Sequence, residues 1–471
     1  MMKTLFLNPP SFEGFDGGAG SRFQARREIR SFWYPTWLAQ VAALVPQSKL
    51  IDAPARGLSL EDIAPLAKDF ELAVLYASAP TFASDVAMAE ALKRVNPHLR
   101  IGFVGALSAV DPERCLSATP VLDFAAGSEF DFTIQEVAEG RPYAQVDGIT
   151  WRDGERFVHN PPRALIHDMD ALPSVAQVYA RDLVIEDYFI GYLKHPYMSL
   201  YTGRGCRSKC SFCLWPQTIG GRVYRTRSIT SVIDEVARMR QMFPQVKEFF
   251  FDDDTFTDDR PRVEAIAREL GRLGVTWSCT AKPDVPRQTL AVMKANGCRL
   301  LLVGYESGVQ AILNNIRKGT RVDIMRRFTA DCHDLGILIH GTFILGLPGE
   351  TRQTIKDTIA FAKDINPRTL QVSLAAPYPG TELYAQAQAN NWLSAGDLVR
   401  NDGRQLAALG YADLPAADIF AAVSDFYRQF YFRPAKIAEI CGEMLGDWDM
   451  AKRRLREGVE FLSFLNRRRA A

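Results

Sequence analysis

Three cysteines crowd into one short run, Gly203-Arg204-Gly205-Cys206-Arg207-Ser208-Lys209-Cys210-Ser211-Phe212-Cys213. A glycine-bent loop that brings Cys206, Cys210 and Cys213 within one turn's reach of each other suits a soft metal or an iron–sulfur cluster. A closed structural zinc site needs four ligands, and no fourth Cys or His follows nearby: His195 precedes the run and Cys279 is far along the chain. Zinc with such a remote fourth ligand stays the alternative. Three ligands leave one metal position open, where a substrate or cofactor can coordinate, so the spacing favours chemistry over scaffolding. The remaining thiols, Cys115, Cys279, Cys298, Cys332 and Cys441, are scattered and read as small buried hydrophobes.

The loop needs a scaffold. It follows an apolar run of strand type at residues 198–202, and similar runs recur at 246–251, 276–280, 300–304, 339–345 and 370–374 with helix-length patterns between them. This alternation predicts a partial parallel (β/α)6 barrel, open on one side, over residues 196–392. Chemistry in such sheets collects on the loops that follow the strands. Residues 1–140 alternate in the same way, with strand-like runs at 4–7, 49–52, 72–77, 100–104 and 121–125. They predict an α/β domain with a doubly wound parallel sheet and a ligand crevice beyond the carboxyl ends of its strands. Residues 141–195 read as a polar connector with a hairpin signal at Asp153-Gly154. After Trp392 helical periodicity takes over at 418–432, 435–445 and 450–465, which predicts a helical cap over 393–471. The glycine-rich stretch from Ser11 to Ser31 offers neither helix nor strand, and a mobile loop and a lid over a ligand are its two readings.

Composition narrows the function classes. The 56 basic side chains nearly cancel 55 acidic ones, so no nucleic-acid partner is indicated. No run approaches the roughly 18 apolar residues of a membrane span, the apolar start breaks at Pro9-Pro10, and the eight dispersed cysteines do not form a disulfide framework, so a reduced cytoplasmic setting is expected.

Cys206-x3-Cys210-x-Phe212-Cys213 resembles the signature of the radical S-adenosylmethionine superfamily. The resemblance implies a four-iron, four-sulfur cluster on the three cysteines, with S-adenosylmethionine chelating the fourth iron and yielding a 5'-deoxyadenosyl radical on one-electron reduction. It also implies a flavodoxin- or ferredoxin-type electron donor. Phe249-Phe250-Phe251-Asp252-Asp253-Asp254-Thr255-Phe256-Thr257 resembles the acidic turn that holds the cofactor's amino group, which points to Asp253 and Asp254, with a solvated acidic turn or a cation site as the alternative. Lys282 is placed to pair with the cofactor carboxylate or to be a surface lysine. Gly304-Tyr305-Glu306-Ser307-Gly308 resembles the ribose-contacting turn, which implies roles for Glu306 and Ser307. The run from Gly341 to Thr351, including Ile344, resembles the adenine-flanking segment. Phe212 belongs to the same cofactor set, while Tyr305, Tyr378 and Glu382 are positional candidates for proton or radical transfer.

The front domain resembles the cobalamin-binding domain of one large branch of that superfamily, at Asn8, at Ser78 and Thr81, at Gly105, and at Gly127 with Glu129. Those six are the implied cobalamin contacts. No Asp-x-His-x-x-Gly sequence is present and no histidine precedes His98, so the lower cobalt ligand of other cobalamin proteins is missing. Over the full chain, including Tyr431-Phe432-Arg433-Pro434, the resemblance is closest to radical enzymes associated with hopanoid biosynthesis. It implies a lipid-linked sugar substrate and ring contraction of an amino sugar on a bacteriohopanetetrol head group. Methylation of an unactivated carbon with methylcobalamin is the enzymatic alternative. The run Lys452-Arg453-Arg454-Leu455-Arg456 and the trio Arg467-Arg468-Arg469 flank an apolar stretch, so the last helix either lies on an anionic membrane or packs on the barrel with a solvated basic end.

Overall fold

The fold was obtained as a computed structural model, which describes residues 1–11, 26–394, 396–400, 403–446 and 448–469. The glycines of the stretch read as a loop or lid, Gly14 to Gly20, lie outside the described residues.

The first sheet contains β1 (Thr4–Asn8), β2 (Ser48–Asp52), β3 (Leu72–Tyr76), β4 (Arg100–Val104), β5 (Phe124–Ala126), β6 (Ile149–Asp153) and β7 (Arg156–His159). Their order is β2-β1-β3-β4-β5-β6-β7. Pairing is parallel from β2 to β5 and antiparallel across β6 and β7. The chain reverses direction of travel between β1 and β3, which makes that gap the topological switch point, the usual place for a ligand. β1 is buried at every position, as a central strand covered on both faces must be. Gly102 on β4 has no room for a side chain, because a Cβ there would overlap the ring of Phe124 on β5. The hairpin expected at Asp153-Gly154 forms, but it is not part of a free connector. It docks antiparallel on β5 and carries the sheet on to His159, because β5 would otherwise leave an unpaired edge.

The second sheet is the partial barrel. Its strands β8 (Tyr197–Leu200), β11 (Glu248–Phe251), β12 (Trp277–Ala281), β13 (Cys298–Glu306), β14 (Leu338–Leu345) and β15 (Thr369–Leu374) run parallel in the order β15-β14-β13-β12-β11-β8. A two-stranded ribbon of β9 (Gly203–Arg204) and β10 (Arg225–Thr226) follows β8. Helices fill the outer face with ordinary punctuation. Arg260–Leu273, for example, starts where Asp259 accepts a hydrogen bond from the Arg262 amide and stops at left-handed Gly274. The cap is formed by helices Ala416–Tyr431, Pro434–Gly446 and Trp448–Arg469.

The two domains share one apolar core. Phe6, Leu50 and Val74, on the inner face of the first sheet, pack in the same cluster as Tyr197, Phe250 and the barrel interior, whereas Leu5 and Leu7 face a separate cluster on the outside. Within this interface lies a charged knot. Arg204 on β9 donates through both terminal nitrogens to Asp131 at 2.7 and 2.8 Å, reaches Glu129 at 3.4 Å, and stacks on Trp37 at 4.1 Å. Arg225 on β10 binds both oxygens of Glu129. All four charged side chains are buried. Removing one partner strands the other, so Asp131→Ala should cost about 3–5 kcal/mol in chemical denaturation, and adding Arg204→Met should recover part of that loss.

Candidate functional site

The cysteine loop begins where β9 ends. Gly205 has φ +87°, and a Cβ there would overlap the Val223 carbonyl oxygen, so only glycine allows the chain to turn over the barrel mouth. The loop is fastened at several points. Asp254 accepts from the Gly205 amide at 3.0 Å, and the Ser211 amide donates to the Ile316 carbonyl at 3.0 Å. The Gln217 side-chain amide donates to the carbonyls of Cys210, Ser211 and Cys213. Cys206, Cys210 and Cys213 all line one cavity of about 780 Å³ in the barrel mouth.

The donor set fits a cluster. Three thiols line one cavity and leave further coordination to a bound cofactor, as the three-cysteine ligation of an iron–sulfur cluster would. Burial pushes the thiols of Cys210 and Cys213 up from the usual range, and Cys213 furthest, with the neighbouring cysteines adding to it. Such groups become thiolates when a metal ion supplies the compensating charge.

Of the residues singled out for S-adenosylmethionine, Phe212, Asp254, Lys282, Glu306 and Ile344 line this cavity. Lys282 reaches Asp258 at 2.7 Å rather than standing free on the surface. Two others do not line it. Asp253 is fully buried and accepts from the Thr202 amide, the Thr202 hydroxyl and the Tyr224 hydroxyl, so it braces β8 against β10. Ser307 turns away to Thr358 at 3.0 Å.

Among the transfer candidates, Tyr378 lines the cavity. Tyr305 lies behind the sheet, bonded to Thr329 and stacked on Phe343, because its position on β13 alternates with lumen-facing Gly304 and Glu306. Glu382 does not line the cavity, but it pairs at 2.6 Å with Arg317, which does, and so braces the loop that carries Lys318.

Lys318 is the principal residue that sequence reading missed. Its ammonium lies 2.6 Å from Glu306 in the cavity wall beside the cysteines. Burial works against its charge, but Glu306 and Cys210 outweigh that effect and hold the amine protonated. Arg27, Trp33, Tyr192, Gln371 and Ser373 complete the wall. Only an accounting of inward positions on β15 signals the last two, and nothing in the local sequence signals Arg27, which comes from the amino-terminal domain and donates to Gln371.

None of the six residues expected to contact cobalamin lines the crevice of about 830 Å³ beside the first sheet. Asn8 donates to Asp52 at 2.8 Å, Gly105 (φ +111°) packs against Ala77 and Tyr76, and Gly127 joins the Gly148 backbone. Glu129 is consumed by the two arginines of the knot. Ser78 and Thr81 bond each other and Asp85. What does open at the β1/β3 switch point is a crevice of about 830 Å³ lined by Pro10, Ser11, Pro54, Ser84 and Ala87, with Arg26, Arg27, Arg30, Arg404 and Arg467 and the acids Glu28 and Glu460 completing its charged wall. Its cations outnumber its acids, and a crevice of this size fits a large cofactor with an anionic tail. Arg27 lines both the crevice and the cysteine cavity.

Residues 200–362 match the Radical SAM superfamily. That segment is a radical SAM domain, which makes the chain a radical SAM enzyme with a four-iron, four-sulfur cluster and S-adenosylmethionine as its cofactors. Its relatives include methyltransferases and anaerobic magnesium-protoporphyrin IX monomethyl ester cyclases. The chain is 29% identical over 405 residues to an uncharacterized methyltransferase of Pyrococcus horikoshii, across 83% of this chain and 84% of that one. It is 26% identical over 448 residues to the cytidylyl-2-hydroxyethylphosphonate methyltransferase of Streptomyces wedmorensis, across 81% and 80%. In fold it resembles the radical S-adenosylmethionine methyltransferase TsrM from Kitasatospora setae, solved with cobalamin and a [4Fe-4S] cluster bound, with a TM-score of 0.67 and 14% identity over 100% of both chains.

Two outcomes follow for this site. Gly205→Ala should reduce iron and acid-labile sulfide per chain after anaerobic reconstitution to less than about a third of wild type, because strain at left-handed φ shifts the first ligand. Asp85, pushed by burial up to about 8, is held neutral in the fold. Its raised value means that stability is greatest at low pH and falls as pH climbs past the unfolded value toward about 8. Asp85→Asn keeps both accepted hydrogen bonds, so melts at about pH 5 and about pH 8 should show the variant gaining on wild type as pH rises.

Proposed function

We propose that this chain is a cobalamin-dependent radical S-adenosylmethionine methyltransferase that acts on an unactivated carbon of a substrate held in the barrel lumen. The observation that carries the reading is the shared wall: one residue, Arg27, borders both the cavity into which the three cysteines open and the basic crevice at the switch point of the front domain. A radical source on one side and a cofactor-sized crevice on the other suit a reaction that needs both.

When bound, the cluster with S-adenosylmethionine supplies a hydrogen-abstracting radical, and cobalamin supplies a transferable methyl group. This chain's residues do the rest. Cys206, Cys210 and Cys213 hold the cluster, and Asp254 holds the loop by accepting from Gly205. Lys318 and Lys282 give the cavity two cations for a carboxylate, each balanced by an acid, Glu306 and Asp258. Ile344, Leu302 and Phe212 supply apolar wall that keeps water from the reacting centre. Of Tyr305, Tyr378 and Glu382, Tyr378 lies within reach of a substrate there. The reducing electron comes from a flavodoxin- or ferredoxin-type donor.

Ring contraction of an amino sugar on a hopanoid head group is the second reading, favoured by the apolar and basic surface of the terminal helix, which suits a lipid-linked substrate. Anaerobic reconstitution with reductant, S-adenosylmethionine and cobalamin should yield 5'-deoxyadenosine and a product heavier than its substrate by one CH2. A product of unchanged mass would favour ring contraction, and absence of 5'-deoxyadenosine would remove both readings. Lys318→Met should lower the rate at least tenfold, read as 5'-deoxyadenosine formed per minute, because Glu306 is left buried without its cation.

A further inference from the structure

The inward side chains of the barrel stack in layers, because alternate residues of paired strands share a face. In the lowest layer Leu302 stands beside His340 and His340 beside Thr369; one step nearer the cysteines Gly304 stands beside Thr342 and Thr342 beside Gln371; above them Ile344 stands beside Ser373. The lowest layer is closed, since His340 engages Thr369 through Nδ1 at 2.7 Å and stacks on Tyr192 at 3.9 Å. Gly304 contributes no side chain to the middle layer, which leaves room for a ligand there.

Arg27 reaches this middle layer. Its Nη2 donates to the side-chain oxygen of Gln371, and its guanidinium lies 6.0 Å from the ring centre of Trp33. Gln371 is 4% exposed and itself donates to the Ser373 hydroxyl at 3.3 Å. Gln371 and Trp33 line the cysteine cavity and not the crevice, so the head of Arg27 belongs to the lumen although the residue borders both spaces. The other cations of the cavity wall, Arg207, Lys209, Lys282, Arg317 and Lys318, stand on the cysteine loop or on the loops after β12 and β13. Lys318, Lys282 and Arg317 each meet an acid there, and the first two suit the carboxylate of S-adenosylmethionine. Beside β15 the partner of Arg27 in the lumen is a neutral amide. The adjacent acid, Glu28, does not line the cavity; burial pushes its carboxyl up, and it bonds Tyr427. A guanidinium facing a water-poor space through a neutral amide attracts an anion strongly, and its planar fork matches two oxygens of a carboxylate or phosphoryl group.

We propose that Arg27 is the specificity-determining residue of the lumen: on the reading of this cavity as the reaction site, it binds a carboxylate or phosphoryl group of the substrate in the middle layer, with Gln371 and Ser373 supplying the flanking hydrogen bonds. The substrate is then an anion whose charged end lies deep beside β15 and whose reacting carbon points toward the cysteine end.

The test uses the full-length reconstituted protein with S-adenosylmethionine and without reductant, titrated in a calorimeter with phenylphosphonate, benzoate and the uncharged dimethyl ester of phenylphosphonate. Wild type should bind phenylphosphonate or benzoate saturably, the tighter of the two naming the group the substrate carries, and should not bind the ester. Arg27→Gln should weaken that binding at least tenfold and Arg27→Lys by less, because an ammonium keeps the charge without the fork. Gln371→Glu leaves Arg27 in place but gives it an acid partner, and should also weaken the anion at least tenfold. Iron per chain should be unchanged in these variants. Binding of the ester as tight as that of the anions, no binding of either anion, or equal affinity in wild type, Arg27→Gln and Gln371→Glu would overturn the proposal. Loss of cobalamin with anion binding intact in Arg27→Gln would also overturn it, by placing the guanidinium in the crevice. Failure of wild type to form 5'-deoxyadenosine once reductant is added would count against the reaction-site reading and leave the calorimetric result to stand on its own.

Discussion

Arg204 is the point on which the arrangement turns. It stands two residues before the first cluster ligand, yet its charge is answered by the other domain, through Asp131 and Glu129. Burial works against that charge, and the two carboxylates more than restore it. Glu129 is in turn shared with Arg225, whose strand pairs with that of Arg204. The start of the cysteine loop is therefore fixed against the carboxyl edge of the first sheet, not merely against its own barrel. Buried ion pairs of this kind are a poor source of net stability but a strong source of geometric definition. Here the definition concerns the distance between a radical source and a cofactor crevice.

The alternation of buried runs and helical patterns was enough to place every central strand of both sheets within a few residues, because strands covered on two faces leave a continuous apolar record. The hairpin β6–β7 was legible as a hairpin but not as sheet, since its destination depends on an edge that only the folded β5 provides. The three cysteines declared themselves through spacing. Tyr305 and Ser307 turn away from the lumen because Leu302, Gly304 and Glu306 hold the inward positions of this stretch, and the turn motif that contains them does not say which face of the strand is inward. Glu129 looked like a ligand contact because its turn resembles one, and its actual partners lie 75 and 96 residues away. Lys318 and Arg27 were silent for the same reason: each reaches the cavity from a loop whose sequence carries no motif.

Residues 26–34 supply Arg27 and Trp33 to the lumen wall before the first helix begins, and Tyr34 donates to the Tyr197 carbonyl at the foot of β8. One wall of the lumen is thus made by residues that precede the barrel in the chain. The barrel is not a detachable unit: excised on its own it would present an open-sided trough, its radical exposed to solvent. Exchange of front domains between relatives would have to carry this segment along with the sheet.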